Sequence, residues 1–334
     1  VRIVGAGMCH TDLLSRDMPP EAFAGPRVFG HEGAGVVEAV GSGVSSVAPG
    51  DHVVLSFASC GTCPACRQNR RPYCFNFALH NMAGGRTDGS AALADANGER
   101  VGSHFFGQSS FASHALAVED SVVPVDRSYD LAKLGPLGCG VQTGAGTVLN
   151  TLAVEEGSSL VVLGTGALGL SAVMAAKVAG AGTIIAVDRY QNRLDLATKY
   201  GATHTLSGDP AELAGKILGI TGQGADYAFD TTGNPAVVRG GYEGLNNIGT
   251  LAMAGVGFGD VTFNAITMIS GRSIRGVMEG DSVTREFIPR LAKLNAEGKF
   301  PFDELIVEFP LDRINEAEAA SKSGEAVKPV LVPA

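Results

Sequence analysis

Leu160-Val161-Val162-Leu163-Gly164-Thr165-Gly166-Ala167-Leu168-Gly169 is the stretch on which the reading of this chain turns. Its four apolar residues predict a buried strand, and the largely apolar run Ala167–Ala179 that follows predicts a helix. Between them lies G-x-G-x-x-G. Gly164 permits a tight turn, Gly166 lets the backbone approach a pyrophosphate, and Gly169 lets the helix pack against the strand. A diphosphate would rest against Gly164, Gly166, Ala167, Leu168 and Gly169, where free N–H groups and the helix dipole favour negative charge. Alone, this pattern also describes a glycine turn with no ligand. Here a second strand, Thr183–Val187, ends at Asp188, nineteen residues after Gly169. A carboxylate there accepts the ribose hydroxyls and repels a 2′-phosphate, which points to NAD over NADP, with Arg189 arguing the other way.

Working outward, strands and helices alternate beyond about Leu134. Asn192–Tyr200 reads as a helix and Tyr227–Asp230 and Leu251–Ala254 as strands, so the fold class is α/β with a doubly wound parallel sheet. Residues 1–125 differ, with short β-branched runs such as Gly35–Val40 and His52–Leu55 between Gly, Pro and Asp. That texture predicts a small antiparallel β-rich domain. Ala78–Arg100 reads as a loop. The end carries a helix at Arg285–Glu297 and a strand at Val330–Val332, either a separate cap or the return of the first domain. Val1-Arg2-Ile3-Val4 reads as the middle of a strand, so a truncated record is expected.

The composition narrows the function classes. With 334 residues two domains are expected, and with 45% hydrophobic and 18% charged residues the chain has the means to bury a core in each. A net charge of −9 argues against nucleic acid, whose phosphates need clustered cations. Arg67, Arg70 and Arg71 form one tight basic group, which reads as a solvated loop. Ser158–Ala176 lacks charge, but Gly164, Gly166 and Gly169 divide it, so no membrane span is expected.

Four of the six cysteines, Cys60, Cys63, Cys66 and Cys74, form C-x2-C-x2-C-x7-C. Four thiolates in fifteen residues suit a closed tetrahedral structural zinc. Iron–sulfur ligation competes, but no second cysteine cluster exists and the last gap is not the ferredoxin spacing. Clustered thiols also point to a reducing, cytoplasmic compartment. By spacing alone, Cys9, Cys139 and His31 read as buried thiols and a core imidazole.

Gly7-Met-Cys9-His-Thr-Asp12, Gly30-His-Glu-Gly33, the four-cysteine lobe and Gly164–Gly169 occur in the same order in zinc-dependent medium-chain alcohol dehydrogenases, which the chain resembles over essentially its whole length. His104-Phe-Phe-Gly-Gln-Ser-Ser-Phe111 and Gly135-Pro-Leu-Gly-Cys-Gly-Val-Gln-Thr-Gly144 resemble the bacterial aryl-alcohol (benzyl-alcohol) branch. The resemblance implies a Rossmann domain, about 141–278, inserted in a GroES-like β-rich catalytic domain made of 1–140 and 279–334, with the zinc lobe at 60–74 and the substrate in the cleft between domains. Strands upstream of Val1 in typical members are absent here, which would leave an unpaired sheet edge.

The resemblance further implies two zinc ions per chain. Cys9, His31 and Cys139 would hold the catalytic one, with Glu32 a neighbouring or transient ligand and Asp12 orienting His31. Zinc would act as a Lewis acid on the alcohol while NAD takes the hydride. Thr11 would bond the substrate oxygen and start the proton's exit. In animal members that exit ends on a histidine three residues further on, and here that position is Leu14, which carries no proton. His10 and Lys328 would approach the cofactor diphosphate, Thr143 the nicotinamide, Arg193 the adenosine end and Val256 the carboxamide. Phe57, Phe105 and Phe106 are candidate walls of an apolar substrate pocket or members of the core.

The leading expectation is reversible oxidation of primary aromatic or allylic alcohols to aldehydes by a homodimer or homotetramer. Terpene alcohols, the glutathione adduct of formaldehyde, and a non-catalytic NAD-binding zinc protein are the alternatives.

Overall fold

The apolar run at Leu160 becomes the strand Ser159–Leu163, and the run after the glycines becomes the helix Ala167–Ala179. The computed structural model describes residues 1–19, 25–257 and 259–334. It separates into two compact units. One comprises 1–142, 282–298 and 302–334, and the other 143–281 with 299–301.

In the second unit six strands lie in the order Ser273–Gly276, Leu245–Met253, Ala225–Asp230, Ser159–Leu163, Thr183–Val187, His204–Leu206. Every pairing is parallel. The chain leaves Ser159–Leu163 in one direction to build half of the sheet and returns beside it to build the other half. This is the doubly wound order, and the glycine turn stands at its switch point, where such sheets bind ligands. Val161, Leu163, Ile185, Ala228 and Leu251 meet Leu213, Ile217, Val238 and Tyr242 in a buried core. The last four belong to two helices, Leu213–Thr221 and Pro235–Glu243, which the sequence pattern did not single out.

In the first unit the strand Arg2–Gly7 is central. It pairs antiparallel with Gly33–Val36 on one side and Lys328–Val332 on the other, in a six-stranded sheet that continues to His52–Leu55 and Val122–Pro124 and, beyond Lys328–Val332, to Ile306–Pro310. The end of the chain therefore returns to the first sheet and is no separate cap. Ile3, Ala6, Val37, Val53, Leu55 and Val122 form the core beneath it.

Two readings need correction. The strand expected over Gly35–Val40 ends at Val36, and Val37 is held instead by its N–H to the Asp51 carbonyl at 2.9 Å. The Ala78–Arg100 loop contains part of the helix Phe77–Asn81 and most of a small hairpin, Leu93–Ala94 against Arg100–Val101. Asn81 explains the helix, since its buried amide ties the helix to both polar groups of the Ala58 backbone. No helix among the described residues is long and apolar enough to cross a membrane.

Candidate functional site

The turn after Arg2–Gly7 presents Cys9 at the head of the helix His10–Arg16. The Cys9 N–H donates to Asp12 Oδ2 at 3.0 Å. Asp12 Oδ1 accepts the Gly30 N–H at 3.1 Å and lies 2.8 Å from His31 Nδ1. In the neutral imidazole Asp12 thus holds the proton on Nδ1 and leaves the lone pair on Nε2. Nε2 is buried and has no hydrogen-bond partner, although an unsatisfied buried polar atom costs about 1–3 kcal/mol.

What surrounds Nε2 explains that arrangement. One ligand atom each from Cys9, His31, Glu32 and Cys139 lie within 4.8 Å of one another. Cys139 follows the turn Gly135–Gly138, whose last carbonyl accepts from Ser56 Oγ at 2.6 Å and from Gln142 Nε2 at 2.7 Å. Glu32 Oε1 accepts the Gly140 N–H at 3.1 Å, and Oε2 lies 2.5 Å from Lys328 Nζ. Two thiols, an imidazole nitrogen without a partner and a carboxylate form a donor set that fits zinc.

The Cys9 charge agrees with that chemistry, whereas a metal at His31 Nε2 would have to displace a proton. Interaction with Cys139 pulls the Cys9 thiol well below its ordinary range despite burial, and the thiolate is the form that binds metal. Burial works to lower the His31 imidazolium, but Asp12 outweighs it and holds the group well above its ordinary value. Burial pushes the Glu32 carboxyl up even beside Lys328. For Lys328 burial opposes the charge, and Glu32 overcomes it.

Phe57, Phe105 and Phe106 are all buried and pack with Phe29, Phe77 and Met82. Phe105 and Phe106 also face His31, with ring centroids 5.6 and 4.5 Å away. Their loop is strained, because His104, Phe106 and Ser109 all hold positive φ. Gln108 pins it to the histidine loop. Its Nε2 donates to the His31 and Ser56 carbonyls at 2.9 and 3.1 Å, and its Oε1 accepts the Gly33 N–H at 3.0 Å. The sequence reading assigned Gln108 no role, although a glutamine among phenylalanines was the available signal.

The four-cysteine lobe is built from a short helix, Pro64–Arg67, and a turn, Arg71–Tyr73. Its sulfurs lie within 4.8 Å of one another, and Cys60 and Cys66 are 3.9 Å apart. A tetrahedron with Zn–S bonds of about 2.3 Å has edges of about 3.8 Å, so the lobe has the dimensions of a closed zinc site. None of the six cysteines forms a disulfide. Backbone N–H groups of Thr62 and Cys63 pull the Cys60 thiol down to about 5, while burial pushes Cys74 up to about 12. Asp120 braces the lobe, accepting from the Ser59 N–H and Oγ at 2.7 and 2.8 Å and pairing with Arg71.

In the other unit the three glycines have separate physical tasks. Gly164 has φ +91°, and a Cβ at Gly169 would meet the Gly164 carbonyl oxygen at 1.9 Å, whereas a Cβ at Gly166 meets no atom within 4 Å. Gly166 therefore opens on space at the helix head. A cavity of about 610 Å³ begins there, lined by Gly164, Gly166, Asp188, Arg189 and Arg193 among others. Asp188 and Arg193 are brought together, as Asp188 raises the Arg193 guanidinium against the stronger lowering effect of burial.

The remaining expected residues are more dispersed. Thr143 is buried on the helix Gly140–Gly146, while Val256 is exposed after the strand Leu245–Met253. His10 is exposed and Thr11 half-buried in the first turn of their helix, and Leu14 is half-buried one turn on. Lys328 was expected at a diphosphate. Its ammonium engages Glu32 and the Met8 carbonyl, at 3.1 Å for the latter, and so gives the buried carboxylate a counter-charge.

Comparison with known proteins bears on these geometries. Residues 1–127 match the family described as alcohol dehydrogenase GroES-like domain, and 167–294 match zinc-binding dehydrogenase. The chain is 43% identical to geraniol dehydrogenase of Castellaniella defragrans, covering 99% of this chain and 90% of that protein. Among solved structures it resembles the benzyl alcohol dehydrogenase of Acinetobacter calcoaceticus with a TM-score of 0.94 and 42% identity, covering 100% of this chain and 91% of that one. An alcohol dehydrogenase zinc-binding domain protein from Burkholderia ambifaria matches with a TM-score of 0.96 and 49% identity, over 99% and 90% of the two chains.

Proposed function

From the premise that this chain belongs to the zinc-dependent alcohol dehydrogenase family, whose members use NAD and zinc, we propose that it oxidises primary aromatic or allylic alcohols to aldehydes, reversibly, with NAD. The observation that carries this reading is the cluster of Cys9, His31, Glu32 and Cys139 around a buried, unpartnered His31 Nε2, beside two phenylalanine rings. The names of the geraniol and benzyl alcohol dehydrogenase relatives support the substrate class.

In this proposal Cys9, His31 and Cys139 hold a catalytic zinc, and Cys60, Cys63, Cys66 and Cys74 hold a structural one. When bound, zinc would supply Lewis acidity toward the alcohol oxygen and NAD would be the hydride acceptor. Asp12 keeps the His31 lone pair on Nε2. Lys328 and the Gly140 N–H hold Glu32 beside Cys9, His31 and Cys139 as a paired charge and a neighbouring or transient ligand. The Thr11 hydroxyl hydrogen-bonds the substrate oxygen and receives its proton. Thr11 passes its own hydroxyl proton on in exchange, and because Leu14 cannot carry it along the helix the relay ends in water or on another group. The catalytic and coenzyme domains are 1–140 with 279–334 and 141–278, and the assembly is a cytoplasmic homodimer or homotetramer.

A panel of alcohols assayed with NAD, with and without glutathione, tests the substrate class. Benzyl alcohol is expected to exceed ethanol in kcat/KM by at least ~10²-fold, since each buried CH₂ contributes about 0.8 kcal/mol, and geraniol well ahead of benzyl alcohol would favour the terpene-alcohol alternative. Glutathione-dependent oxidation of formaldehyde outrunning both would replace this reading with the second alternative. NADH binding to an otherwise inactive chain would favour the third.

The glycine turn supplies a second test. Gly169→Ala should destabilise the chain by about 3 kcal/mol or more, because the new methyl meets backbone that cannot yield. Gly166→Ala should stay within ~0.5 kcal/mol of the parent in urea unfolding. It should nevertheless weaken NADH binding by ~10-fold, which is 1.4 kcal/mol of lost backbone approach. Unaltered NADH affinity in Gly166→Ala would remove the coenzyme from this turn.

A further inference from the structure

Building on the coenzyme reading above, we propose that Thr165 is a positioning residue that aims the Asp188 carboxylate at the adenosine ribose and so sets the preference for NAD over NADP. Thr165 occupies the variable position between the first two glycines, where the motif itself requires no particular side chain. Its side chain is fully buried. Gly164, Gly166 and Asp188 line the cavity and Thr165 does not, so Thr165 acts through its neighbour.

Both donors of Thr165 converge on one oxygen. The N–H and the Oγ1 hydroxyl each donate to Asp188 Oδ2 at 2.8 Å, while the Tyr190 N–H donates to Oδ1 at 3.1 Å. Three donors on one carboxylate restrict both of its torsions; Oδ2 is filled by its two donors, and Oδ1, with one, keeps a lone pair for a ribose hydroxyl. The surroundings make that aim decisive. Arg189, Arg193 and Lys216 line the same cavity as Asp188 and Asp209. Three cations would welcome a 2′-phosphate. The Asp188 charge excludes one only while it stays turned toward the ribose. The glycines do not provide this: without the Thr165 hydroxyl the carboxylate would keep only two backbone donors, the residue 165 N–H on Oδ2 and the Tyr190 N–H on Oδ1.

Titration calorimetry of the full chain with NADH and with NADPH tests the assignment in Thr165→Val, Thr165→Ser, Asp188→Ala and the Thr165→Val/Asp188→Ala pair. Thr165→Val is expected to weaken NADH by ~10-fold, the loss of one charge-assisted hydrogen bond, without weakening NADPH. Thr165→Ser should restore NADH affinity to within ~2-fold, because the hydroxyl returns. In the Asp188→Ala background the valine should add no further loss. Equal weakening of NADH and NADPH would mark a general loop role and overturn the proposal, as would unaltered NADH affinity or a valine penalty that persists without Asp188. Should the valine chain fail to fold, Thr165→Ala removes the same hydroxyl without requiring space, and the same outcomes apply. Absence of NADH binding by the unsubstituted chain would overturn the coenzyme reading and this proposal together, whereas tight binding that ignores Thr165→Val overturns this proposal alone.

Discussion

Cys9→Ser should lower kcat/KM for benzyl alcohol by at least ~10³-fold while leaving the fold and NADH binding intact. The magnitude follows from the electrostatic role proposed for the metal, since removing even one preorganised stabilising group costs 10²–10³ in rate. Cys9 caps the helix His10–Arg16 through its backbone, whose N–H bonds to Asp12, so serine preserves the local structure. What serine lacks is the thiolate. Cys9 is held well below its ordinary range by interaction with Cys139, a state that an alcohol side chain does not reach. Metal analysis should show one of the two zinc ions lost, with the four-cysteine lobe still loaded. Full activity in this variant would refute the catalytic assignment, and full activity with one zinc would transfer catalysis elsewhere.

Cys66→Ser should destabilise the chain by more than about 4 kcal/mol, the range reached when a structural metal is lost. The lobe has little else to hold it. Its buried members are Cys63, Ala65, Cys66 and Cys74, with Cys60, Tyr73 and Phe77 only partly covered. Its helix has four residues, too short to persist without an anchor. Asp120 and Arg71, which with the buried Ser59 brace one side, remain partly exposed, where such pairs contribute little. Urea unfolding together with zinc analysis measures both consequences. NADH affinity should change by less than ~2-fold, because the proposed coenzyme residues Gly164–Gly169 and Asp188 belong to the other compact unit. A variant that keeps both zinc ions and the parental stability would show that the lobe closes without its fourth sulfur.

Much of the cofactor unit was legible because its signals are local. Leu160–Leu163 is apolar on both faces, as a central parallel strand must be, and Gly164 and Gly169 are glycines for steric reasons that need only their immediate neighbours. Helices Leu213–Thr221 and Pro235–Glu243 were less legible. Their apolar residues become a face only once Leu213, Ile217, Val238 and Tyr242 pack on the sheet. The lobe of cysteines was legible by spacing, since a closed loop of fifteen residues already holds its four sulfurs close.

The other cysteines were a different matter. Cys9, His31 and Cys139 are separated by 22 and 108 positions, and no periodicity connects them. Resemblance named them as a set, but it could not say what holds them. The pleated sheet brings Gly7 to Glu32, where the Gly7 N–H donates to the Glu32 carbonyl at 2.9 Å. The returning C-terminal strand delivers Lys328 to Glu32 across 296 positions. Gln108 ties the phenylalanine loop to the histidine loop, and Thr165 ties the glycine turn to Asp188.

By itself, then, the sequence determined the two kinds of fold texture, the glycine turn with its acid and the four-sulfur lobe. Each is encoded within about thirty residues, where chain geometry leaves few alternatives. Only the tertiary structure decided which buried charge meets which. Lys328 pairs with Glu32, Asp12 bonds His31 and Thr165 bonds Asp188. A buried polar group must find its partner wherever the folded chain places one, and that place is set by packing rather than by distance along the sequence.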